Sequence, residues 1–556
     1  MYGIALDLGT SGFRAQLIDL ETNESVKTVM TMRHPLPGGN VTDHLDFAIK
    51  TGQDAANRII LDTVKKIILK FNVDLAEVEK IAVCGNPIQL SLFQNSEIRD
   101  LAYAGKNMQK KLGVEDVKRE ARIFPANELF YGDFEMPNCR IIVPPAIRHE
   151  IGADALAMMV ETDFLNQGNV SLVTDYGTNA EMAVKIGDRI ITGSAAAGPA
   201  IEGQGVSCGM LASPGAICDV NLEGDYWRVT ILDENMDSKP GYLIDPTTGE
   251  IKEESDLVAK GVTGTGVIAA VSLAIETGLM EKVPKLPNGR MVLGEGIEIN
   301  EEDVMEAGKA IGAIRAAHLT LLIEAGVKYE DLQNMYMSGA SGAYVDHDKA
   351  RKIGSCPNFA KRIVQFGNTS LSLARDIVMD ETKLDEVIKL AQTIKADHLM
   401  MATSETFKNL YMCELAYWNE GMSMEEYSQF LEIYGIPKLP EFLKNPVAEK
   451  NIKKDIDEVG NEGLEMLEKL GITIEEAAVG CITCHKCEYE CPENAITITN
   501  YIPGGVCPEE RVATTGEGDM FANYSAQHCL GTSCRRCVKA CPVKAINYKE
   551  IRILAC

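Results

Sequence analysis

Residues 3–15 read GIALDLGTSGFRA, and residues 171–184 read SLVTDYGTNAEMAV. Each stretch is a strand pattern, then Asp-x-Gly-Thr, then a turn and a second strand pattern, so each predicts a β-hairpin with glycine at the bend. A single such turn is usually only a link between strands. Two copies in one chain point to two lobes of related design, each opening on a hairpin.

The turn chemistry suits phosphate. Backbone N–H groups of Gly9, Thr10 and Ser11, and of Gly177, Thr178 and Asn179, can donate to phosphate oxygens together with the hydroxyls. Asp7 and Asp175 then stand where a carboxylate can hold hydrated Mg²⁺ or orient an attacking water, the two candidate catalytic groups. A third Gly-rich turn, SGASGAYVD at 338–346, supplies Ser338, Gly339 and Gly342 to meet an adenosine. Helical spacing is expected at 61–73, 151–165, 265–281 and 301–325, which makes the lobes α/β. The run GSAAAGPAIEGQGVSCGM from 193 lets backbones approach closely and reads as a ligand-facing loop.

The chain closes on different chemistry. CITCHKCEYECP at 481–492 and CLGTSCRRCVKACP at 529–542 repeat a Cys-x2-Cys-x3-Cys-Pro core, followed by the related segments CPENAITI and CPVKAINY. Thiolates at this spacing hold three corners of a [4Fe–4S] cubane, while the Cys before Pro reaches the other cluster. Cluster one is therefore assigned Cys481, Cys484, Cys487 and Cys541, and cluster two Cys529, Cys534, Cys537 and Cys491; the x4 gap makes Cys529 the irregular member. Zinc also uses paired Cys-x2-Cys, but two complete runs in one module favour the clusters. The other cysteines (84, 139, 208, 218, 356, 413, 507 and 556) read as small buried hydrophobes or idle thiols.

Composition narrows the class. The 556 residues are 46% hydrophobic and 24% charged, enough for several cores, and a formal net charge of -27 disfavours nucleic acid and anionic membrane surfaces as partners. No stretch has the length of a membrane span, and cysteines spaced for metal imply a reducing compartment, so the expectation is a cytoplasmic protein. After about 380 the pattern is nearly continuous helix with a Met and aromatic stripe, read as core or docking surface. The expected divisions are 1–165, an N-terminal lobe; 166–380, a C-terminal lobe; 381–475, a helical connecting region; and 476–556, an α+β ferredoxin-like domain with two clusters. His318, within IRAAHLTLLIEAG, reads as a satisfied core residue, and His485 and His528 as surface residues beside the clusters.

The order of the three turns resembles the actin, sugar kinase and heat-shock ATPase superfamily, and that resemblance implies its two-lobed fold, with ATP and Mg²⁺ at the turns. More narrowly, DYGTNAEM, GSAAAGPAIEGQGVSCGM, TGTGVIAAVSLAIETGLM and MSGASGAYVD, with the cysteine module, resemble the reductive activators of corrinoid-dependent enzymes, in particular the archaeal ones that serve methylamine methyltransferase systems. The [2Fe–2S] domain that usually opens bacterial members has no counterpart in this sequence. The resemblance implies ATP-dependent reduction of Co(II) to Co(I) in a corrinoid protein, with electrons from a low-potential donor passing through two [4Fe–4S] clusters. No Asp-x-His-x-x-Gly run occurs among the eight histidines, so the corrinoid is expected on the partner. Three alternatives stay open: a small-molecule kinase with an attached ferredoxin, a non-enzymatic electron carrier, and an activator of a nickel-tetrapyrrole enzyme.

Overall fold

A computed structural model describes residues 1–103, 106–114, 117–130, 132, 134–147, 151–177, 179–197, 200, 205–394, 396–452, 459–500, 520–548 and 551–555. Thr178, Cys507, Cys556 and part of the Gly-rich run after 193 lie outside them. The chain forms two compact units, the first from Met1–Ala153, Ala374–Ile388 and Val459–Cys556, the second from Asp154–Leu373 and Lys389–Glu458.

The first unit is built on the hairpin of β1 (Tyr2–Leu8) and β2 (Phe13–Asp19), extended by β3 (Ser25–Thr31). The helices α1 (Val41–Thr51) and α2 (Gln53–Leu69) follow, then β4 (Val78–Gly85), the short helix α3 (Pro87–Phe93), β5 (Arg122–Pro125) and β6 (Arg140–Val143). Residues 3–8 of β1 are all buried, so both faces of the strand are covered and its apolar residues run on without alternation. Val378 lies so close over Gly3 that a Cβ there would sit 2.3 Å from its Cγ1. The seven-stranded sheet runs Leu464–Leu467, β3, β2, β1, β4, β6, β5. A four-stranded antiparallel sheet of Ile496–Asn500, Met520–Ser525, Ile472–Ala477 and Ile551–Ala555 carries the cysteine loops and belongs to this same unit.

The second unit repeats the design. Its hairpin is β7 (Ser171–Tyr176) and β8 (Ala180–Ile186), extended by β9 (Arg189–Ala195). The sheet runs Ala396–Leu399, β9, β8, β7, Asn334–Ser338, Arg362–Gln365, Val447–Lys450. In both sheets a three-strand antiparallel meander is flanked on one side by two parallel strands, beyond which the edge strand is antiparallel in the first sheet (β5) and parallel in the second, and on the other side by a late strand parallel to its third member. The self-similarity of the two sequence hairpins is thus a duplicated sheet topology.

The helical pattern expected beyond 380 is interrupted. Helices Thr382–Thr393, Glu405–Leu415 and Met424–Ile433 are present, but Ala396–Leu399, Val447–Lys450 and Leu464–Leu467 are strands that cover sheet edges. Four residues carry too little periodicity to announce a strand; pairing with a distant edge makes them one. The aromatic stripe is core in part, since Met412, Met424, Phe430 and Tyr434 are exposed. Trp418, Tyr427 and Leu431 are buried against the long helix Glu301–Glu324. Glycine makes that approach possible: a Cβ at Gly308 would lie 2.6 Å from Trp418, and one at Gly312 2.7 Å from Glu414. Arg315 of the long helix closes a bidentate pair with the fully buried Glu414, Nε to Oε1 at 2.6 Å and Nη2 to Oε2 at 2.7 Å, and the Tyr427 hydroxyl donates to the same Oε1 at 2.5 Å.

Candidate functional site

In the first unit Asp7 is the penultimate residue of β1, facing Arg14 on β2 and Cys84 on β4, and is buried. The turn that follows folds tightly, since a Cβ on Gly9 would lie 2.8 Å from the Gly12 carbonyl oxygen. Gly12 itself packs on β3, 2.9 Å from the Thr31 carbonyl by the same measure, and the Phe13 N–H donates to Thr31 Oγ1 at 2.9 Å. Thr10 and Ser11 are half-buried at the mouth of the turn. Asn86 Nδ2 donates to Thr10 Oγ1 at 3.3 Å, while Asn86 Oδ1 caps α3 by accepting from Ile88 N and Gln89 N.

In the second unit the turns at 175 and 338 come together. Asp175 sits opposite Glu181 on β8 and beside Ser338 at the end of the neighbouring parallel strand. Ser338 Oγ donates to Asp175 Oδ2 at 3.4 Å and lies 3.0 Å from Thr369 Oγ1. Gly339 has φ +81°, and a Cβ there would fall 2.3 Å from Asp175 Oδ1, so only glycine allows this closeness. Gly342 likewise packs on Tyr176, and Gly177 against the Asn179 carbonyl. Thr178 is the one residue of this set outside the described residues.

Two carboxylates of this region escaped the sequence reading. Glu181 is pushed well above the usual carboxylate range by burial first, and then by Asp154 and Asp175. Asp154 opens the helix Ala153–Val160. The signal for Glu181 was available: a strand residue six positions after Asp175 across a tight hairpin returns to face it.

In the cysteine module, Cys491, Cys529, Cys534 and Cys537 line one cavity, with Ile496, Leu530 and Val538 as its apolar wall. Among the described residues no three His, Cys, Asp or Glu side chains converge on one ion-sized point; these sulfurs surround a volume instead. Backbone donors already address the sulfurs: Ala495 N to Cys491 at 3.2 Å, Gly531 N to Cys529 at 3.4 Å, and Ala545 N to Cys541 at 3.2 Å. The Tyr548 hydroxyl lies 3.4 Å from Cys529 Sγ. Burial pushes the Cys529 and Cys537 thiols up, so bound cationic iron is what would hold them as thiolates. A polarisable group several atoms wide, with sulfur ligands supplied and N–H groups aimed at them, fits this cage. Cys487 is buried close to Cys481, while Cys484 is exposed. His318 is core, 2.8 Å from Thr174 Oγ1, and His485 and His528 bond Glu488 and Ser525. Of the remaining cysteines, 84, 139, 218, 356 and 413 are buried and 208 partly so.

Known proteins share this arrangement. Residues 2–167 match a family model described as the RACo middle region, residues 169–428 one described as the C-terminal ASKHA domain of RACo, and residues 480–545 a 4Fe-4S dicluster domain. Over 533 residues, 96% of each chain, the sequence is 63% identical to the [Co(II) methylated amine-specific corrinoid protein] reductase of Methanosarcina barkeri. The chain belongs to the reductive activators of corrinoid proteins. A second family member, the corrinoid activation enzyme RamQ of Eubacterium limosum, is 24% identical over 74% of this chain and 70% of its own. The solved structure of a reductive activator for a corrinoid, iron-sulfur protein has the same fold, with a TM-score of 0.59 at 21% identity over 75% of this chain and 66% of that one. The two-lobed actin and sugar-kinase-like fold expected from the turns is therefore that of the family, with the dicluster domain at its C-terminal end. No helix among the described residues is long and apolar enough to cross a membrane.

Proposed function

We propose that this chain uses ATP to restore a corrinoid protein of a methyltransferase system from Co(II) to Co(I), taking electrons from a low-potential donor. The supporting observation is that a cysteine cage built for iron–sulfur ligation folds in one compact unit with a phosphate-type turn, in a chain 63% identical to a corrinoid-protein reductase. Cys491, Cys529, Cys534 and Cys537 hold one [4Fe–4S] cluster, and Cys481, Cys484, Cys487 and Cys541 the other. When bound, these clusters supply one-electron transfer at low potential. The turns at Gly9–Ser11 and Gly177–Asn179 grip phosphates, and Ser338, Gly339 and Gly342 meet the adenosine. Asp7 and Asp175 hold hydrated Mg²⁺ or orient the attacking water. Burial and the neighbouring Asp154 and Asp175 push Glu181 well above the usual carboxylate range, which opposes a second negative charge beside Asp175, and its Oε1 accepts from the Ser194 hydroxyl at 3.4 Å.

Two functions share one chain because the electron runs uphill. For a one-electron step a thousandfold adverse equilibrium is about 180 mV, or about 4 kcal/mol, which ATP hydrolysis can offset. The test is anaerobic. Iron-reconstituted protein and a low-potential reductant are mixed with a methylamine-pathway corrinoid protein, and the visible spectrum is followed with ATP, with a non-hydrolysable analogue and without nucleotide. Co(I) formed only with ATP supports the proposal. Persistent Co(II) while ATP is hydrolysed would remove the corrinoid client and leave the nucleotide reading standing.

A further inference from the structure

Hydrogen bonds joined by short runs of chain link the phosphate turn of the first unit to the cysteine cage. The link begins at Thr10, whose hydroxyl accepts from Asn86 Nδ2, and Asn86 in turn caps the backbone N–H of Gln89 on α3. The Gln89 side chain is fully buried and spends both ends of its amide. Its Oε1 lies 3.0 Å from His34 Nε2, and its Nε2 2.9 Å from His44 Nδ1. The two imidazoles stack with centroids 3.8 Å apart, and Phe13, the first residue of β2 after the turn, meets His34 edge-on at 5.1 Å.

The proton positions in this cluster are dictated. Leu36 N–H donates to His34 Nδ1 at 3.0 Å, so the neutral ring carries its proton on Nε2 and must find an acceptor. That acceptor is Gln89 Oε1, which turns Gln89 Nε2 toward His44. Flipping the amide would break both bonds at once, so Gln89 has one orientation. Burial keeps both rings neutral.

Two arms lead from here to one segment. From His34 the chain runs to Gly38, whose N–H donates to the Cys529 carbonyl at 3.0 Å, and Gly531 packs on Pro37. From His44 on α1, Asp46 two residues further along accepts from the Thr532 hydroxyl. Both arms end on residues 529–532, and Cys529 is the irregular ligand before the x4 gap.

We infer that Gln89 is a positioning residue that transmits the occupancy of the first phosphate turn to the Cys529 corner of the cysteine cage. This rests on the proposed use of ATP and clusters. A phosphate seated on Thr10 accepts the proton of its hydroxyl and so polarises the oxygen that accepts from Asn86 Nδ2; Asn86 is drawn in with the cap of α3, and the amide of Gln89 carries that shift into both arms. The ferredoxin module thereby reads the nucleotide through the lobe on which it is built.

The test uses the full chain, iron-reconstituted and reduced, with the electron paramagnetic resonance signal and midpoint potentials of its clusters recorded with and without a non-hydrolysable ATP analogue. Wild-type protein is expected to show a nucleotide-dependent change in signal and potential. Gln89→Met is expected to lose that change while keeping its iron content and nucleotide affinity. Thr532→Val, which cuts only the α1 arm and leaves the histidine cluster intact, guards against misfolding of the first variant and is expected to weaken the change. Folded Q89M and T532V proteins that keep the full nucleotide-dependent change would overturn the inference. So would wild-type protein that activates the corrinoid with ATP yet shows no change in its clusters, an outcome that leaves the proposed function standing. Failure to bind nucleotide at all would defeat both.

Discussion

Replacing Gly339 with alanine tests whether Asp175 acts in hydrolysis. The residue has φ +81°, a region that costs an L-residue with a Cβ about 1–2 kcal/mol. The added methyl would also start 2.3 Å from Asp175 Oδ1, and overpacking of this kind costs about 1–3 kcal/mol. Together these make about 2–5 kcal/mol, released either as lost stability of the second unit or as movement of the carboxylate. Reaching ordinary van der Waals contact requires about 1 Å of displacement, and misplacing a reacting group by that much costs about 100-fold in rate. Phosphate release at saturating ATP should therefore fall by about two orders of magnitude in Gly339→Ala. Iron content and cluster absorbance should not change, because the cysteines belong to the other compact unit. Hydrolysis at the wild-type rate in folded, nucleotide-saturated G339A would refute the placement of Asp175 in the reaction.

Three further outcomes are expected. Glu414→Ala leaves Arg315 buried without its carboxylate and should destabilise the second unit by about 3–5 kcal/mol, read from its denaturant midpoint. Acid should weaken the first unit through His34 and His44: burial holds His34 down to about 3, so between pH 6.5 and that value the unfolded chain binds a proton the folded one refuses, and stability falls as pH falls. The slope is about 1.4 kcal/mol per pH unit for each histidine, and His34→Asn should make the measured pH dependence shallower; an unchanged slope would show that His34 already titrates in the fold. Tyr548→Phe removes the hydroxyl 3.4 Å from Cys529 Sγ and should lower the potential of that cluster in a spectroelectrochemical titration, since hydrogen bonds to sulfur favour the reduced form; an unshifted potential would assign Tyr548 to packing alone.

What the sequence by itself determined are the features written in consecutive residues. Asp-x-Gly-Thr between two strand patterns specifies a tight hairpin because strand period and glycine freedom act locally, and Cys-x2-Cys-x3-Cys-Pro specifies a cluster loop because ligand spacing does. Both hairpins stand where those patterns put them. The long helix Glu301–Glu324 was equally legible from its helical spacing, and the structure adds its Asn300 cap and acidic first turn. The tertiary structure alone decided what depends on residues far apart in the chain. Four-residue segments at 396, 447 and 464 become strands only because a sheet edge offers them partners. Ser338 and Gly339 reach Asp175 across 163 residues through a parallel pairing that no local period announces. The ferredoxin module shares a compact unit with the first lobe, more than 400 residues earlier in the chain, because the Leu464–Leu467 strand joins β3 and Gly38 reaches Cys529. Gln89 gave no signal at all. A glutamine on a short helix looks like surface until the fold closes two histidines around it, and the free energy of burying its amide is recovered only by partners that the fold supplies.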